Sequence, residues 1–156
     1  MAARDRFVAE MGAALNGAGL PPLPSRVFSA LMVDDDGRMT AAELAGSLRV
    51  SPAGVSGAVG YLERVGMIRR EREPGSRRDV YVVDDDTWHE AMMRSDVTYG
   101  PMLHALSRAV DDLGTDTSAH QRLMLTREFL TFVNAEMNGM AERWERHKRR
   151  LLREQR

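Results

Sequence analysis

The chain has 156 residues, 43% of them hydrophobic and 29% charged, with a formal net charge of -1, four histidines and no cysteine. That size accommodates one compact domain, or a small domain with helical dimerisation elements. The lack of cysteine excludes disulfides, thiol redox sensing and cysteine-ligated metal sites; no segment is apolar for long enough to span a bilayer, and the start MAARDRFVAEMGAAL lacks a signal-peptide core, so a cytoplasmic protein is expected.

Arg4 to Gly17 is predicted as an amphipathic helix bearing Phe7, Val8, Met11 and Leu15, ended by Gly19-Leu20-Pro21-Pro22. Pro24-Ser25 precedes a short helix with Val27, Phe28 and Leu31. Asp34-Asp35-Asp36-Gly37 reads as a solvated turn, since it lacks the alternating ligands and distal glutamate of a calcium loop. Thr40 and Glu43 form a capping box for a helix through Ala41, Ala42, Leu44, Ala45 and Leu48. Ser51 followed by Pro52 starts the next helix, because serine caps well and proline at the first helical position loses no useful donor.

On that second helix, Val55, Ala58, Val59 and Leu62 share one face and should bury against the first. The opposite face carries Ala53, Ser56, Gly57, Gly60 and Arg64, with Gly54 and Tyr61 at its flank. Each glycine costs the helix about 1 kcal/mol relative to alanine. Close approach to a nucleic-acid groove would account for them, and so would easier packing. Gly66 suits a helix C-cap. Met67 to Arg72 and Asp79 to Val83 read as two strands around Pro74-Gly75-Ser76, which places Arg77 and Arg78 near a hairpin tip. Two short helices followed by a basic hairpin is the layout of a winged helix-turn-helix. Charge is segregated accordingly: residues 49–78 hold seven arginines against three glutamates, whereas residues 79–118 hold nine acidic residues against two arginines. Such a separation directs the basic module toward DNA.

The triplet Asp84-Asp85-Asp86 should cap the helix that follows. From Thr87 to about Leu113 the apolar spacing is helical, with Gly100-Pro101 expected to kink or split it. A polar stretch, Gly114 to Ser118, leads to the longest helix. There Leu123, Leu130, Met137, Trp144 and Leu151 recur every seven residues, with Val133 and Met140 three places after two of them, the seam of a helix pair or coiled coil. Leu125, Phe129 and Phe132 make a second apolar face, so this helix is expected to pack on its own subunit and on another at once. The basic run from Arg143 to Arg156 reads as a solvated tail that offsets the helix dipole. His89, His104, His120 and His147 show no metal-ligand spacing, and no metal or cofactor is expected.

The segment from Arg26 to Trp88, with SPAGVSGAVGYLERVGMI and REREPGSRRDVYVV as its motifs, resembles the winged-helix domain of the MarR superfamily and, more narrowly, its GbsR-like branch. The resemblance implies a mainly α fold with a small β-hairpin wing, a winged helix-turn-helix plus long dimerisation helices. It also implies a homodimeric transcriptional regulator, often a repressor, that binds a pseudo-palindromic operator in double-stranded DNA and responds to a small molecule. Carried over by position, Ser51, Ala53, Gly54, Ser56, Gly57 and Tyr61 match the recognition helix, and Arg77 and Arg78 match the wing; Gly60 and Arg64 join them from the helix periodicity. Gly57 and Gly60 stand where the family usually has larger polar or basic residues, so the operator sequence does not follow. The expected organisation is an N-terminal helix in residues 1–23 contributing to dimerisation, the DNA-binding domain in residues 24–86 and a helical dimerisation region in residues 87–156. Leu123, Leu130, Val133, Met137, Met140 and Trp144 are its dimer contacts.

Trp88, Met92, Tyr99, Met102, Phe129 and Phe132 are candidate walls of an effector site. Methionine adapts to varied ligands and aromatic faces hold quaternary ammonium groups, so choline or betaine fits the GbsR resemblance. Ordinary core packing explains the same spacing. No P-loop, complete nucleophile elbow or compact catalytic set is visible, which argues against an enzyme. The alternative function is a winged-helix protein-interaction module without specific DNA binding.

Overall fold

The computed structural model describes residues 2–73, 75–84, 88–89, 93, 95–113, 115 and 117–154. The elements are helices α1 (Ala2–Gly17), α2 (Pro22–Met32), α3 (Ala41–Leu48) and α4 (Pro52–Arg64), strands β1 (Arg38–Thr40), β2 (Arg69–Arg72) and β3 (Asp79–Val82), and helices α5 (Ser95–Asp112) and α6 (Ser118–Glu154). The chain divides into two compact units, Met1–Ala91 and Met92–Arg156.

In the first unit, α1 lies on α2, while α2, α3 and α4 enclose the core. Val27, Phe28 and Leu31 of α2 meet Leu44 and Leu48 of α3 and Val55, Ala58, Val59 and Leu62 of α4, with Met67, Ile68 and Tyr81 closing it from the sheet side. The four α4 residues expected inside are the buried ones. Both helix starts form as their sequences dictate. Thr40 Oγ1 accepts from the Glu43 N–H and the Glu43 carboxylate accepts from the Thr40 N–H at 2.7 Å, while Ser51 Oγ accepts from the Gly54 N–H at 3.1 Å. The Thr40 backbone N–H, and then its hydroxyl, hold the Glu43 carboxyl below its ordinary pKa. Helix α4 ends where Gly66 takes a φ of 75°, with the Met67 N–H bonded to Leu62 O and the Gly66 N–H to Glu63 O, a Schellman closure.

The sheet has three antiparallel strands in the order β1-β3-β2, one more than the hairpin read from the sequence. Strand β1 pairs Arg38 with Val82 and Thr40 with Val80, and β2 pairs Arg69 with Val82 and Arg72 with Asp79. The acidic turn before β1 is fixed by the Asp34 carboxylate, which accepts from the Asp36 and Arg38 N–H groups. Gly37 closes it at φ 62°, and a Cβ there would sit 2.7 Å from the Val83 carbonyl oxygen. Gly37→Ala should therefore cost about 1–3 kcal/mol through strain and displacement of β3. Thermal melting checks this; an unchanged midpoint would contradict the close contact.

In the second unit, α5 and α6 pack along one another. Helix α5 continues through Pro101 rather than splitting. Proline removes a single intrahelical hydrogen bond in the second turn, and packing on α6 holds the rest. Within α6, Leu130 is 7% exposed, with Leu123, Val133, Met137 and Trp144 half-buried, so most of the heptad seam is already covered within the single chain. Leu125, Phe129, Phe132 and Met140 lie open instead, the two phenylalanines each 63% exposed.

Candidate nucleic-acid interface

The exposed side of α4 is built from small residues. Ala53, Ser56 and Gly57 are open to solvent, Gly54 and Gly60 are half-covered, and Ser51 is exposed at the helix start with its hydroxyl engaged as the cap. The three glycines differ in their surroundings. A Cβ on Gly54 would lie 3.1 Å from Leu23 Cδ2, so packing against α2 accounts for that position. A Cβ on Gly57 would meet nothing within 4 Å, and one on Gly60 only the Arg64 guanidinium at 3.7 Å. Tyr61 rests on the core with the Arg64 guanidinium 5.9 Å above its ring.

The basic hairpin is less uniform than its sequence suggests. Arg70 grips Glu63 through both Nε and Nη2, at 3.1 and 2.8 Å, and lies 5.5 Å from the Tyr81 ring centroid. The Glu63 contact raises the Arg70 pKa further. Burial pushes the Tyr81 hydroxyl up, with the Arg70 charge opposing. Arg69 pairs with Glu71 and with Asp84, the latter at 2.7 Å, and Arg38 pairs with Glu71 at 2.7 Å. Arg38, Arg69 and Arg70 are therefore neutralised. Arg72, Arg77 and Arg78 are exposed toward the tip and form no ion pair among the described residues.

Arg49 lies outside the recognition-helix and wing motifs of the sequence. It is the left-handed residue closing α3, at φ 54°, with the Val50 N–H bonded to Ala45 O in the arrangement that usually takes glycine. The backbone cost of a non-glycine there is about 1–2 kcal/mol, and the side chain is exposed shortly before α4. A basic residue in the short link between two helices was the available signal. Together these groups offer a face on which a polyanion can approach the α4 backbone closely, flanked by exposed guanidinium groups.

Chain comparisons fit this geometry. A model described as "MarR family" matches residues 18–79, and one described as "MmpR5-like MarR family transcriptional regulator" matches residues 86–147. The chain is a MarR-family winged-helix transcriptional regulator. No curated protein matches it in sequence. Among solved structures, a transcriptional regulator superposes with a TM-score of 0.80 at 22% identity, over 92% of this MarR-family chain and 98% of its own, which establishes the shared fold. MepR, a regulator of the Staphylococcus aureus multidrug efflux pump MepA, gives 0.44 at 16% identity over 82% and 91%. Bordetella bronchiseptica BpsR, whose DNA binding is regulated by 6-hydroxynicotinic acid, gives 0.42 at 16% over 78% and 81%.

The effector candidates are divided between the two units of this regulator. Trp88 belongs to the first unit and packs edge-on against Phe28, with ring centroids 5.9 Å apart. Tyr99 is half-buried, Met102 exposed, and Phe129 and Phe132 open on α6; Met92 lies outside the described residues. A cavity of about 420 Å³ lies elsewhere, in the first unit, with Val8, Arg26, Ala30, Met39, Leu48 and Arg49 in its lining.

Proposed function

We propose that this MarR-family chain is a cytoplasmic homodimeric repressor that binds a pseudo-palindromic operator through α4 and the wing of each protomer. The observation that carries the reading is that Arg72, Arg77 and Arg78 toward the hairpin tip form no ion pair among the described residues, while Arg69 and Arg70 are tied to carboxylates. Charge left free at the end of a projecting hairpin suits phosphate contact or entry into a narrow minor groove. The open stripe of Leu125, Phe129, Phe132 and Met140 supplies an apolar surface for a second copy, and the N-terminal helix α1 contributes to dimerisation in this reading. Modulation by a small molecule is in keeping with the family. The 420 Å³ cavity suits that role, because an occupant would touch Leu48 and Arg49, the residues that join α3 to α4. The GbsR-like placement rests on the winged-helix motifs alone, the C-terminal match being to the MmpR5-like model.

Replacing Arg77 and Arg78 with alanine should weaken binding to the chain's own promoter region and lower the salt slope by about 1 for each lost phosphate contact, with melting unchanged. Gel shifts across a salt series check it. An unaltered slope would remove the wing from the interface, and absence of any salt-sensitive binding by the wild type would favour the protein-contact reading instead.

A further inference from the structure

Helix α6 carries positive charge that the winged domain does not use. Arg146, Arg149, Arg150 and Arg153 are all exposed, and with Glu154 they line a shallow groove on the helix surface. At about 100° per residue the four fall within roughly 100° of arc, on the side of α6 away from buried Leu130. No acidic residue lies between Arg146 and Arg153. None of the four forms an ion pair among the described residues. Arg149 Nε donates to the Glu145 backbone carbonyl at 3.2 Å and Arg150 Nη2 to His147 Nδ1 at 2.9 Å, contacts that leave the charge uncompensated.

Two ordinary explanations fall short. Compensation of the helix dipole acts within the last turn, where Arg153 stands but the other three do not. A solvated helix face is usually laced by pairs four residues apart. Glu142 and Glu145 have that spacing to Arg146 and Arg149, yet neither carboxylate pairs with its arginine.

We propose that this arginine ridge is a second DNA-binding surface, which holds the phosphate backbone outside the stretch contacted by α4 and the wing. The inference rests on the DNA-binding reading above. Residues 146–153 rise about 10 Å along the helix. Duplex DNA presents one negative charge per about 1.7 Å of axis, so the ridge faces several phosphates at once. All four side chains are arginine, whose planar fork takes two phosphate oxygens together, as an ammonium does not. An anionic membrane is a poorer match. Leu151 and Leu152 lie off this face, so no apolar side chain would enter a bilayer beside the arginines.

The test uses the full chain and a variant with Arg146→Gln, Arg149→Gln, Arg150→Gln and Arg153→Gln, alongside one with lysine at all four positions. Glutamine keeps good helix propensity, and melting with light scattering verifies fold and assembly. Each protein is titrated against a short duplex holding the protected promoter core and against the same core extended by random flanks. The wild type should gain about tenfold in affinity on extension, with a salt slope steeper by up to about 0.9 per contacting arginine. The glutamine variant should lose that gain, and the lysine variant should keep most of the slope. A glutamine variant that gains as the wild type does would overturn the ridge, and so would loss of binding to phosphatidylserine vesicles with DNA binding intact. Ridge-dependent binding that ignores Arg77 and Arg78 would support the ridge and overturn the wing reading, so the two failures are distinguishable.

Discussion

Gly57→Leu should leave the chain folded, more stable by up to about 1 kcal/mol, and unable to bind its operator. The stability gain comes from replacing the poorest ordinary helix former at an exposed helical position where a Cβ meets nothing within 4 Å. The loss of binding comes from a branched side chain on the surface that would face the groove, where it holds the α4 backbone away from the bases. Gly54→Leu is the internal control. Its Cβ would already lie 3.1 Å from Leu23 Cδ2, so the larger side chain overpacks the α2–α4 contact and should cost about 1–3 kcal/mol. Melting and promoter titration of the two variants separate the roles. A Gly57→Leu protein that is stable and binds normally would remove this face of α4 from the interface.

Phe129→Asp combined with Phe132→Asp should convert a dimer into a folded monomer. Both rings are largely exposed in the single chain, so the substitutions leave the α5–α6 packing untouched. Burying a phenylalanine side chain contributes about 1.5–3 kcal/mol, and an unpaired carboxylate in its place is costly to desolvate. Leu130→Asp should act differently, because Leu130 is buried before any partner arrives; it should unfold the helix pair in monomer and dimer alike. Light scattering and far-UV circular dichroism at micromolar concentration distinguish these results. A wild-type monomer, or a doubly substituted dimer, would place the interface elsewhere or nowhere.

The signals legible in the sequence act over a few residues. Thr40 with Glu43, Ser51 with Pro52, and Gly66 each set a helix end through hydrogen bonds spanning five residues or fewer, and all three were readable without the fold. The inward face of α4 was legible for a related reason, since helical periodicity fixes which side chains share a face. Strand β1 was not. It is three residues long, and its pairing with β3 joins Arg38 to Val82 across more than forty residues of chain, for which no local pattern exists. Nor can a count of arginines say which are free. Arg69 and Arg70 are neutralised by Asp84 and Glu63, groups brought to them only by strand register and by the packing of α4, whereas Arg77 and Arg78 toward the tip form no ion pair among the described residues. The seven-residue repeat of α6 likewise identified a seam without naming what covers it. Periodicity belongs to the helix, but burial belongs to its neighbours, and it is the packing of α5 and α6 that leaves Phe129 and Phe132 rather than Leu130 facing outward.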